Sequence, residues 1–238
     1  MKTLAAIRRL PWSRSAAQGG KRQSGVQAEA RRGLMREYAM LSSKVKTWYV
    51  NMLGPFVRTS VRFGIHPNAL TMLGFGITLV SACLFGLGAF RWAGLVMFIG
   101  GSCDVLDGHL ARETGTRSTF GALLDSTLDR YAEIAVFIGI IAFYLFSAGD
   151  SDLSAWWVLA SVMAISGSLM VSYVRARAEG LGQECTVGLM QRPERIICLG
   201  LGAMLGETYL PVALVLIAVV SNFTAITRLF HIRRKSKG

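Results

Sequence analysis

Four of the six aspartates in this chain fall within one stretch, Gly101–Arg130, reading GSCDVLDGHLARETGTRSTFGALLDSTLDR. The sequence on either side consists of apolar runs of about twenty residues, the length that crosses a bilayer. Carboxylates are costly in that setting, and ionisable groups inside membrane segments mark functional sites by default. Asp104 and Asp107 are three residues apart and Asp125 and Asp129 four apart, so each pair shares one face of a helix. Two facing pairs of this kind would form an oxygen-rich cage for hard divalent cations.

The rest of the chain supports that setting. Apolar residues make up 52% of its 238 positions, charged residues 17%, and the mean hydropathy is +0.43. These values predict an all-α integral membrane protein and exclude an ordinary soluble domain. The net charge of +12 is concentrated between Lys2 and Arg62 and between Arg228 and Lys237. Such flanks are read as a positive-inside signal and a contact for anionic lipid headgroups, so nucleic acid is not expected as a partner. Cys83, Cys103, Cys185 and Cys198 lack the paired spacing of a disulfide or zinc framework and read as small apolar residues. The apolar run before the first arginines is too short for a secretory signal.

In chain order, residues 1–32 read as a basic, disordered cytosolic tail and residues 33–64 as an amphipathic helix lying in the membrane interface. Residues 65–232 read as a six-span domain, and 233–238 as a basic cytosolic tail. The expected spans run from about Pro67 to Gly88, Arg91 to Arg112 and Thr119 to Ala148. A fourth runs from Leu153 into Ser172–Glu179, a short fifth opens at Arg192-Pro193-Glu194-Arg195, and a sixth covers Leu210 to Leu229. Six spans would put both basic termini on one side, together with the basic loops at 113–118 and 175–195. The acidic loop around Asp150 would lie on the other side, which predicts cytoplasmic termini. Asp104 precedes Arg112, and Asp125 follows Ser118, by about two helical turns, or ~11–12 Å, so a hairpin of the second and third spans would level the four carboxylates.

Written as a pattern, the stretch is D-x-x-D-G-x-x-A-R, eight residues, then G-x-x-x-D-x-x-x-D, met by Asp104, Asp107, Gly108, Ala111, Arg112, Gly121, Asp125 and Asp129. It resembles the CDP-alcohol phosphotransferase family of integral membrane enzymes. That resemblance implies transfer of a phosphatidyl-type group from a CDP-activated lipid to an alcohol, with release of CMP. It further implies two Mg²⁺ or Mn²⁺ ions and a homodimer. It assigns Asp104, Asp107 and Asp125 mainly to metal, and Asp129 to the general base with a share in the metal set. The residue types suit the chemistry, because two ions can neutralise a pyrophosphate and a carboxylate can take the proton of the attacking hydroxyl. Gly108 and Gly121 would let a nucleotide approach the helix backbones, beside Ala111, and Arg112 would grip a phosphate. Asn68 and Thr71, after His66-Pro67, are either helix-capping groups or further nucleotide contacts. The competing explanation of carboxylates in spans is a cation- or proton-coupled transporter.

The acceptor is read from arginines outside the motif. Arg175, Arg177, Arg192 and Arg195 fall on the expected cytoplasmic side, either as flanking charge or as ligands for a phosphorylated acceptor. DSTLDR at 125–130, SYVRARAE at 172–179 and RPER at 192–195 resemble the phosphatidylinositol-phosphate synthase branch, which implies inositol 1-phosphate as acceptor. Glycerol 3-phosphate would be served by the same arginines and is the second candidate. Serine would leave them without a phosphate and ranks third. The site is expected to face the cytoplasm from the inner membrane, with a CDP-diacylglycerol-type lipid and a phosphorylated polyol as partners.

Overall fold

The computed structural model describes residues 54–146 and 152–235, nearly all of them in one compact unit, Phe56–Gly238. The expected tail at 1–32 and most of the expected interfacial helix at 33–64 lie outside the described residues. Described residues 54–62 are helical (α1). They are followed by α2 (Pro67–Gly86), α3 (Phe90–Glu113), α4 (Thr119–Phe146), α5 (Asp152–Gly180), α6 (Arg192–Leu205) and α7 (Leu210–Lys235). No strand occurs among the described residues, so the chain is all-α there.

The expectation of six spans is corrected. Among the described residues, only α2, Leu153–Gly180 of α5, and α7 are long and apolar enough to cross a membrane. Two causes account for the difference. α3 and α4 carry Arg91, Asp104, Asp107, Arg112 and Glu113, and Asp125, Asp129, Arg130 and Glu133, so polar groups occupy half of each helix. α6 has 14 residues, a length of about 21 Å at 1.5 Å per residue, short of a ~30 Å hydrocarbon core.

Local signals set the helix ends. Pro67 fits the first turn of α2, where its missing N–H costs nothing, and the His66 ring Nδ1 accepts the Asn68 N–H at 3.2 Å as the cap. Gly88, with φ 74°, makes the left-handed turn between α2 and α3, and Pro193 opens α6. α2 packs on both α3 and α4, α3 on α6, and α7 on α5 and α6. At the end of the bundle remote from the aspartates the core is aromatic: Phe90 and Phe143 meet edge-on at 4.7 Å, and Phe143 and Tyr144 at 5.3 Å.

Small residues let α2 approach its neighbours. A Cβ on Gly139 of α4 would lie 2.1 Å from the Ala82 carbonyl oxygen of α2, a backbone atom that cannot turn away. Gly139→Ala should therefore force α2 and α4 apart, at an overpacking cost of about 1–3 kcal/mol. The apparent Tm in detergent should fall by several degrees, whereas Gly76→Ala, with nothing within 4 Å of the added carbon, should leave it unchanged or raised. Equal melting of the two variants would overturn this account of the α2–α4 contact.

Candidate active site

The second half of α3 and the first half of α4 meet across the N-terminal end of α2. One carboxylate oxygen each from Asp104, Asp107 and Asp125 lies within 4.8 Å of the others. Oxygens around a single octahedral Mg²⁺ or Mn²⁺ stand about 3–4.3 Å apart, so a small closure would bring these three onto one ion. The donor set is all oxygen, which fits a hard divalent cation. Asp107 is nearly buried, and the Thr71 hydroxyl donates to its Oδ2 at 2.5 Å while also standing 3.2 Å from the Pro67 carbonyl oxygen. Thr71 thus orients a candidate metal ligand, and the α2 cap comes from His66, which the sequence reading did not single out.

Asp129 stands apart from this group. Arg192 Nη2 donates to Asp104 Oδ2 at 2.6 Å and forms an ion pair with Asp129 Oδ1 at 2.5 Å, tying α6 to α3 and α4. Arg195, one turn further along α6, is buried. Its Nε and Nη2 donate to the two carboxylate oxygens of Glu133 at 2.8 and 3.2 Å, and its Nη1 to the Met190 carbonyl at 3.1 Å.

Two clefts open on the aspartates. The first, ≈ 800 Å³ with its solvent-open space, is lined by Asn68, Thr71, Asp107, Gly108, Ala111, Arg112, Gly121 and Asp125. A Cβ on Gly108 would meet only Arg112 Nη1, at 3.8 Å, so it would occupy cleft space. A Cβ on Gly121 would press on Ser118 Oγ and Asn68 Oδ1 at 3.0 and 3.1 Å. The second cleft, ≈ 490 Å³ with its solvent-open space, is lined by Asp104, Asp129, Glu133, Arg192 and Arg195, with Thr78 and Gly101, and by apolar residues that include Met97, Val136, Phe137, Leu199 and Ile217. Every expected nucleotide-side residue therefore reaches one cleft, and Arg192 and Arg195 reach the other.

Arg175 and Arg177 reach neither. Arg175 pairs with Glu179 one turn along its own helix at 2.8 Å, and Arg177 is exposed. Glu133 belongs to the site and was missed, although Asp125, Asp129 and Glu133 repeat at a four-residue step along one face of α4.

With this geometry in hand, comparison with known proteins identifies the family. The model for "CDP-alcohol phosphatidyltransferase" matches residues 64–232, and the chain belongs to that family of enzymes. It is 34% identical over 210 residues to a phosphatidylinositol phosphate synthase of Streptomyces avermitilis, covering 83% of this chain and 84% of that one. An archaetidylinositol phosphate synthase of Methanothermobacter thermautotrophicus is 32% identical over 197 residues, covering 79% and 96%. Among solved structures, the Mycobacterium tuberculosis phosphatidylinositol phosphate synthase with CDP-DAG bound superposes with a TM-score of 0.68 at 34% identity, covering 74% of this chain and 90% of that one. The same mycobacterial enzyme in complex with manganese and citrate also gives 0.68, covering 74% and 86%.

Proposed function

We propose that the protein transfers a phosphatidyl-type group from CDP-diacylglycerol to inositol 1-phosphate, giving phosphatidylinositol phosphate and CMP. One observation carries this: the aspartates sit between a glycine-floored cleft with Arg112 and a second cleft with two arginines. Asp107 and Asp125 line the first cleft and Asp104 and Asp129 the second, so a nucleotide diphosphate in one and a phosphorylated alcohol in the other would each reach carboxylates of the same cluster. The relatives named as inositol phosphate synthases, and the related structure with CDP-DAG, support the same assignment of substrates.

In this mechanism Gly108, Ala111 and Gly121 admit the CDP group, Arg112 binds one of its phosphates, and Asn68 lies beside Gly121 to contact the nucleotide. Asp104, Asp107 and Asp125 would hold Mg²⁺ or Mn²⁺, with Asp129 joining them if a second ion binds. Bound metal would supply positive charge to the pyrophosphate oxygens and the departing CMP. Asp129 removes the acceptor hydroxyl proton as its oxygen bonds to the phosphorus carrying the lipid, and the bond from that phosphorus to CMP breaks. Arg192 and Arg195 bind the acceptor phosphate, and Arg175 and Arg177 form an outer cationic rim that draws it in.

We assign the site to the cytoplasmic face of the inner membrane. Arg112, Arg175, Arg177, Arg233, Arg234 and Lys235 lie near helix ends on the aspartate side, with Arg117 in the α3–α4 connection there, whereas Arg91 is on the far side. The homodimer rests on the family resemblance alone.

The test is CMP release from CDP-diacylglycerol with Mg²⁺ or Mn²⁺ and a panel of inositol 1-phosphate, glycerol 3-phosphate, inositol and serine. Inositol 1-phosphate should give the highest kcat/KM. A preference for glycerol 3-phosphate would replace the acceptor, and release with serine alone would remove the role of the arginines. No release with any of them would overturn the transfer itself.

A further inference from the structure

We infer that Glu133 is a positioning residue for the acceptor, holding Arg195 so that the free N–H groups of its guanidinium meet the acceptor's phosphate. This rests on the proposed phosphorylated acceptor and adds a residue outside the family's aspartate pattern. Arg195 is 3% exposed, and a guanidinium so enclosed needs a counter-charge to stay where it is. Glu133 supplies it through a two-point contact, 2.8 Å to Nε and 3.2 Å to Nη2, which fixes the guanidinium plane as well as its charge. The Met190 carbonyl takes an Nη1 hydrogen at 3.1 Å, so three of the five N–H donors are committed to α4 and to the segment before α6. Two N–H groups remain, one on each terminal nitrogen, and Arg195 lines the same cleft as Arg192 and the candidate base Asp129. Free guanidinium N–H groups are what a phosphate takes from an arginine.

The experiment measures both Michaelis constants in the purified full-length protein with Mn²⁺. Glu133→Gln keeps the side-chain volume and removes the charge. It should raise KM for inositol 1-phosphate about tenfold or more while KM for CDP-diacylglycerol stays within about twofold. Adding it to Arg195→Gln should cost little further, because the two act as one unit. Glu133→Asp keeps a negative charge beside both Arg195 and Arg130 and guards against a variant that fails to fold. It should recover part of the acceptor KM that Glu133→Gln loses, since the charge still holds Arg195. Equal shifts in both KM values, additive losses with Arg195→Gln, or a Glu133→Asp acceptor KM no better than that of Glu133→Gln would each overturn the positioning role. A wild-type protein that uses only serine would instead overturn the acceptor assignment, and this role with it.

Discussion

Asp129→Asn should lower kcat by about a thousandfold, within the 10²–10⁴ range that a positioned general base contributes. It should do so without abolishing metal or CDP-lipid binding. The reason lies in how the four aspartates divide. Asp104, Asp107 and Asp125 form the close oxygen group, whereas Asp129 faces the arginine-lined cleft and bonds to Arg192. An asparagine there keeps the shape, but it loses the ion pair with Arg192 and cannot take a proton from a hydroxyl. Mn²⁺ titration of the variant should show the first ion bound nearly as in the wild type, with CDP-diacylglycerol retained in a binding assay. If turnover survives within a few-fold, Asp129 is not the base. If turnover and the first ion are lost together, its role is that of a ligand in the same cluster as the other three.

How much of this was legible beforehand depends on the range of the interaction. The aspartate pattern is local, since spacings of three and four residues fix a helix face, and the cluster of Asp104, Asp107 and Asp125 follows that spacing. The two halves do not meet as a simple hairpin, because α2 packs against both α3 and α4 and places Thr71 on Asp107. The Glu133–Arg195 and Arg192–Asp129 contacts join helices far apart in sequence, so periodicity could mark one side of each pair without naming its partner. The Asp125–Asp129–Glu133 step was nevertheless open to inspection, and the missed member was the glutamate that carries no motif. Among the arginines, sequence left four cations on one side either as flanking charge or as ligands for a phosphorylated acceptor. Burial separates them, with Arg195 enclosed and Arg175 spent on Glu179. The span count failed because a hydropathy reading passes over the polar halves of α3 and α4 and the brevity of α6.

Asp107→Asn should be more damaging to metal binding than any change around it, and comparison with Thr71→Val separates ligand from support. Asp107 is the most buried carboxylate of the close group, at 4% exposure. Its Oδ2 is held by the Thr71 hydroxyl at 2.5 Å, leaving the other oxygen as the freer ligand. Asparagine would remove the negative charge on which a hard cation depends, so Mn²⁺ affinity should fall by more than the ~10–100-fold typical of losing an outer-shell partner. Activity should fall to background even with abundant metal. Thr71→Val keeps the volume and removes only the hydroxyl, so it should weaken Mn²⁺ binding by about 10–100-fold and be rescued by raising the metal concentration. The decisive measurement is Mn²⁺ titration by electron paramagnetic resonance in the absence of either substrate. Equal losses in the two variants would mean that the hydroxyl is itself a ligand. No loss in Asp107→Asn would place the ion on other carboxylates and leave Asp107 as a polar contact for the nucleotide cleft that it also lines.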